Sequence, residues 1–247
     1  RIEARFSAFI AENPMPEVQN ELNVLRTTAA TQLGIKPEDA GIDDGVLLRR
    51  QIARRCIYGI DINEIAVELA RLAIWIHTFV PGLPLSFLNH GLIHGNSLTG
   101  VGTIQEITDS IREAQLREDK NHTSDAMFDI NEPLEELLSR ADSYLAKLAI
   151  LTGASISEVN QVQDLYAEVN KSLEPLTALC DLITAERTTR KLKLTDPEKF
   201  LLIGGKNNNI ASALTANELE QAVLKHPQLK RAREVARQIH AAHFPTV

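Results

Sequence analysis

The sequence predicts an α/β protein that is predominantly helical, with a small α/β part in the first hundred residues and a long helical part after it. Three observations carry this. Nine of the twelve glycines fall between Gly34 and Gly102, which concentrates turns and strand ends there. The run Ile57-Tyr58-Gly59-Ile60-Asp61-Ile62 is short, apolar and β-branched, then gives way at Asn63 to a long helical pattern. From Thr103 onward the apolar residues recur at helical spacing almost to the end of the chain.

In order, Arg1 to Glu12 places Ile2, Phe6, Phe9 and Ile10 on one helical face, and Asn13-Pro14 ends it. A second helix is expected from Pro16 to about Gln32, with Gly34 as its stop. Lys36 to Gly45 reads as a loop, and Asp43 or Asp44 can cap a helix through Val46 to Arg54. The unalternating strand Ile57 to Ile62 is expected to be parallel and buried on both faces. Asn63 suits an N-cap and Glu64 the first turn. Ile65 to Phe79 is apolar nearly all round, which predicts a buried helix that Pro81-Gly82 ends. Leu92-Ile93 is a second short strand leading into Gly95-Asn96-Ser97-Leu98. Further helices are expected at about 104–117, 130–151, 156–187, 197–202 and 216–243, with Pro175 kinking or splitting its own.

Composition narrows the function classes. The 247 residues are 44% hydrophobic and 24% charged, ordinary for a globular protein, and no apolar stretch is long enough for a membrane span. With only two cysteines, a disulfide framework is ruled out, and a reducing, cytoplasmic setting is the expectation. The net charge of -7 argues against coating nucleic acid by bulk charge, though it leaves room for a local DNA-facing patch. Arg1 stands where a start methionine would and falls within an apparent helix, so the chain reads as a piece of something longer.

The informative unit is strand, acid, helix. Asp61 ends the strand, and in doubly wound folds ligands bind beyond the strands' carboxyl ends. A carboxylate there can accept hydrogen bonds from both hydroxyls of a ribose, and Ile62 can lie against an adenine ring. The competing reading is an ordinary capping acid after a strand. Asn96 offers both a donor and an acceptor to an adenine edge, against the competing reading of a turn built from turn residues. His77, His90 and His94 do not complete a metal site, for no cysteine or carboxylate cluster joins them. Glycine-rich dinucleotide and phosphate loops and C-x-x-C are all missing.

Arg55 to Ile76, the segment Thr78-Phe79-Val80-Pro81-Gly82-Leu83-Pro84-Leu85-Ser86-Phe87-Leu88 and the turn Gly95-Asn96-Ser97-Leu98 together resemble the adenine-N6 DNA methyltransferases of bacterial restriction-modification and phage-defence systems. The similarity spans about Gln51 to Gly100, and the helix Arg1 to Glu12 resembles the one after that family's first motif. The resemblance implies a Rossmann-like fold dependent on S-adenosylmethionine. It places Asp61 on the cofactor's ribose hydroxyls, Ile62 on its adenine, Asn96 on the adenine amino group and the Ser97 N–H beside it. Asn96 stands where the family often has Asp, which keeps an acceptor and loses a charge. The family's glycine-rich first motif would precede Arg1 and its Asn-Pro-Pro-aromatic clamp, which grips the flipped base, would follow Val247.

The expectation is therefore a partial methyltransferase domain over 1–101 and a helical insertion over 102–247, reaching DNA through a longer parent. No catalytic residue and no metal ligand is assigned, and the chain by itself should not transfer methyl groups. Rival readings are a non-enzymatic helical interaction module and a fragment of a nicotinamide-dependent Rossmann enzyme. With the neighbouring strand missing, the edge at Cys56–Ile62 is expected either to self-associate or to be covered by the chain's own helices.

Overall fold

The computed structural model describes residues 2–85, 88, 91–110, 131–188 and 227–244. The expected helix at 197–202, residues 111–117 of that at 104–117, residues 216–226 of that at 216–243, His90 and the Ser86-Phe87 pair lie outside these residues. The described part is mostly helical, with two short parallel strands. The chain divides into two compact units that interleave: residues 1–93 with 146–167, and residues 94–145 with 168–247.

The first unit opens with α1 (Ile2–Glu12), α2 (Pro16–Leu33) and α3 (Asp44–Cys56). Proline at the start of α2 needs no N–H partner, and Gly34 ends the helix in the left-handed conformation at φ 70°. Asp43 occupies the N-cap position of α3 without a side-chain capping bond, while Asp44 pairs with Arg26 of α2. Leu22, Leu25, Ala29, Leu47, Leu48, Val80, Leu83 and Ala154 form the core of this unit. Gly82 has to be glycine, for at φ 83° a Cβ would sit 2.4 Å from the Ala29 carbonyl oxygen.

Next come β1 (Gly59–Asp61), α4 (Glu64–His77) and β2 (Leu92–His94), a β-α-β order with β1 beside β2. Asn63 caps α4 as expected, its Oδ1 accepting the Ile65 N–H at 3.0 Å. Two expectations fail here. The strand shrinks to three residues, none of them buried, and α4 buries Val67 alone. A two-stranded sheet gives β1 a neighbour on one side and supplies too little surface to cover an apolar helix all round. At this edge Ile57 is 39% and Tyr58 68% exposed.

α5 (Asn131–Ile150) and α6 (Ile156–Thr188) meet at a corner inside the first unit. Ser155 and Glu158 form the donor–acceptor half of a capping box there, the Glu158 N–H reaching the Ser155 Oγ at 3.1 Å. α6 runs on through Pro175 as one helix, neither ended nor split there, and Leu173, Leu176 and Leu179 around it are buried. That packing offsets the hydrogen bond the proline cannot make.

In the second unit α6 carries the buried run Cys180 to Ala185, and α7 (Pro227–Gln238) buries Leu229, Ala232 and Ala236. Residues 94–102 run beside the segment after α7. Asn96 bridges Ala241 in parallel, Phe244 donates its N–H to the Val101 carbonyl at 3.0 Å, and a Cβ on Gly100 would fall 1.4 Å from the Ala242 oxygen. No helix among the described residues is long and apolar enough to cross a membrane.

Candidate functional site

Asp61 is the last residue of β1, and its side chain is exposed. Its Oδ1 accepts the Asn63 N–H at 2.8 Å, a local turn that holds the carboxylate at the strand's end. One such bond leaves most of a carboxylate's acceptor capacity for another molecule. Ile62, the next residue, is 55% exposed. Asp61 and Ile62 thus present an acceptor and an apolar surface side by side, just before the N-terminus of α4.

Asn96 lies two residues beyond β2. Its side-chain Oδ1 accepts the Leu98 N–H at 3.0 Å and its backbone N–H bonds to the His240 carbonyl, so the turn uses much of its polarity internally. Ser97 is exposed, and Leu98 is 92% exposed. Asp61 and Ile62 belong to the first compact unit, Asn96 and Ser97 to the second.

A cavity of about 460 Å³ in the first unit is lined by Asn23, Arg26, Thr27, Glu38 and Asp43 among others, and so is distinct from the Asp61 turn. In the same unit two arginines of α3 are buried. Arg50 donates to the Pro84 carbonyl at 2.5 Å and the Gly153 carbonyl at 3.2 Å. Burial, then the charge of Arg54, pushes its guanidinium down to about 10, where it stays charged at neutral pH. Gln51 reaches the Thr152 carbonyl at 3.3 Å. Glu158 closes this corner by accepting from the Thr152 hydroxyl at 2.8 Å and the Gly153 N–H at 2.8 Å. Burial raises the Glu158 carboxyl, but the bonds from Thr152, Ala154 and Gly153 outweigh it and hold the group below its ordinary value.

The second unit contains a polar cluster that no sequence spacing announced. His243 is buried, with Nε2 2.8 Å from Asp181 Oδ1 and Nδ1 accepting the Val101 N–H at 3.2 Å. That acceptor role fixes the tautomer: Nε2 carries the proton and donates it to Asp181. Arg233 approaches Asp181 Oδ2 at 3.7 Å and bonds Glu174 at 3.1 Å. A cavity of about 240 Å³ opens here, lined by Thr177, Arg233, Arg237, His94 and His240, with the two histidine rings 4.8 Å apart. With both ring nitrogens engaged, His243 braces α6 to the 94–101 segment. At neighbouring Cys180, burial, then the Asp181 charge, pushes the thiol up to about 12. Among the described residues no group of three or more metal-binding side chains gathers.

No known protein family, no curated protein and no solved structure matches this chain.

Proposed function

We propose that the chain is a segment of an S-adenosylmethionine-dependent DNA methyltransferase acting on the N6 amino group of adenine, within a restriction-modification or phage-defence protein. The observation that carries the reading is the Asp61 turn, an exposed carboxylate at the end of a parallel strand with exposed Ile62 beside it and a capped helix after it. Added to this is the order of motifs from Arg55 to Leu98. S-adenosylmethionine supplies an electrophilic methyl group when bound. Asp61 accepts from the ribose hydroxyls, its rotamer held by the Asn63 N–H. Ile62 lies on the adenine. In this reading these residues bind and orient the cofactor and carry out no step of the transfer.

Calorimetry with S-adenosylmethionine on the longer polypeptide tests it. Asp61→Ala should weaken binding by about 1.5–3 kcal/mol, the range for hydrogen bonds to a charged group. Unchanged affinity would refute the ribose role, and binding of a nicotinamide dinucleotide instead would favour a dehydrogenase fragment. The chain of 247 residues alone should transfer no labelled methyl to DNA. A second reading, a non-enzymatic helical interaction module, draws on the apolar side that α4 leaves exposed.

A further inference from the structure

On α4, Ile65, Leu69, Leu72 and Ile76 are 70%, 60%, 49% and 70% exposed. Their spacing of four, three and four residues puts them on one stripe, the spacing of a coiled-coil seam. The opposite side of the helix carries Val67, its one buried residue. The stripe is also a palindrome: Ile, Leu, Leu, Ile reads the same from either end.

We propose that this stripe is a contact between two copies of the chain, with the two α4 helices antiparallel across a two-fold axis between Leu69 and Leu72. The occupant follows from self-complementarity. An isologous interface brings the same patch of both copies together, and a palindromic stripe turned end to end meets its own pattern. Ile65 lies against Ile76 of the other copy, and Leu69 against its Leu72. The antiparallel arrangement also sets each helix's positive end by the other's negative end. With Phe79 one turn further on, 57% exposed, the stripe offers on the order of 500–600 Å² of apolar surface per copy. That is at the small end for a specific interface, so association is expected in the micromolar range. The inference does not rest on the methyl-transfer reading.

Sedimentation or light scattering of the chain at about 100 μM, read against dilution, should show a mass rising towards twice 27.4 kDa. Leu69→Glu should weaken association by tenfold or more while leaving the helical circular dichroism intact, since this position is exposed and Glu suits a helix. A monomer at that concentration, or an association that Leu69→Glu leaves unchanged, would overturn the proposal. Orientation is read separately. In a Cys56→Ser background, which removes the exposed thiol, Ile65→Cys and Ile76→Cys chains mixed together should be joined by a short bis-maleimide, and neither alone. Cross-linking within each single variant would mean parallel helices and would also overturn it.

Discussion

Two neighbouring helices of the first unit invert the usual link between composition and burial. α3 carries Arg49, Arg50, Arg54 and Arg55, yet it buries Leu47, Leu48, Arg50, Gln51, Ala53 and Arg54. α4 is apolar along nearly its whole length, yet it buries Val67 alone. The difference lies in what stands opposite. α3 meets α2 and the 152–154 corner, whose carbonyls receive the buried guanidinium and amide of Arg50 and Gln51. α4 rests on a sheet of two strands and is tied to it by Arg71, which bonds the Leu92 carbonyl at 2.5 Å. Burial is thus a property of the partner surface as much as of the segment, and a charged side chain can be buried where acceptors wait for it.

The sharpest way to break the comparison is a matched pair of truncations. Leu47→Ala, at a fully buried position, should cost about 3 kcal/mol in denaturant-derived stability, the middle of the range for a core leucine. Leu69→Ala, measured at a dilution where copies are apart, should cost less than about 0.5 kcal/mol. Equal costs would show that α4 is covered after all. Arg50→Met comes next. It keeps much of the apolar stem but strands the Pro84 and Gly153 carbonyls, and about 2 kcal/mol of lost stability is expected. A neutral result would mean that these carbonyls find other donors.

Glu158→Gln should cost about 1 kcal/mol, typical of a lost cap, and its pH dependence gives the sign. The native carboxyl is held below its unfolded value, so the unfolded chain takes up the proton first as pH falls. The stabilisation is complete at neutral pH, starts to fall below about pH 5 and is gone below the native value. Urea midpoints from pH 7 to pH 3 should therefore fall less steeply for Glu158→Gln than for the native chain. Parallel slopes would remove Glu158 from the acid response.

The helix ends were the most legible features. Pro16, Gly34 and Asn63 act where local chemistry places them, because a cap depends on backbone groups within four residues. Asp61 at the end of a strand was legible for the same reason, and so was the turn at Asn96. The Asp181–His243–Val101 array was not, for its members stand 62 and 142 residues apart and each alone is an ordinary polar position. Nor could the arginines of α3 announce their burial, since a run of that kind reads as a solvated face until Pro84 and Gly153 are brought to it.

By itself, then, the sequence determined where helices start and stop and which residues carry the strand–acid–helix turn, because those depend on short-range sterics and hydrogen bonds. Only the tertiary structure decided which sides are buried. Solvent exclusion needs a second surface, and the pattern of one helix does not say whether that surface exists. The palindrome of α4 was in the sequence throughout, but only the structure decided that Ile65, Leu69, Leu72 and Ile76 face water.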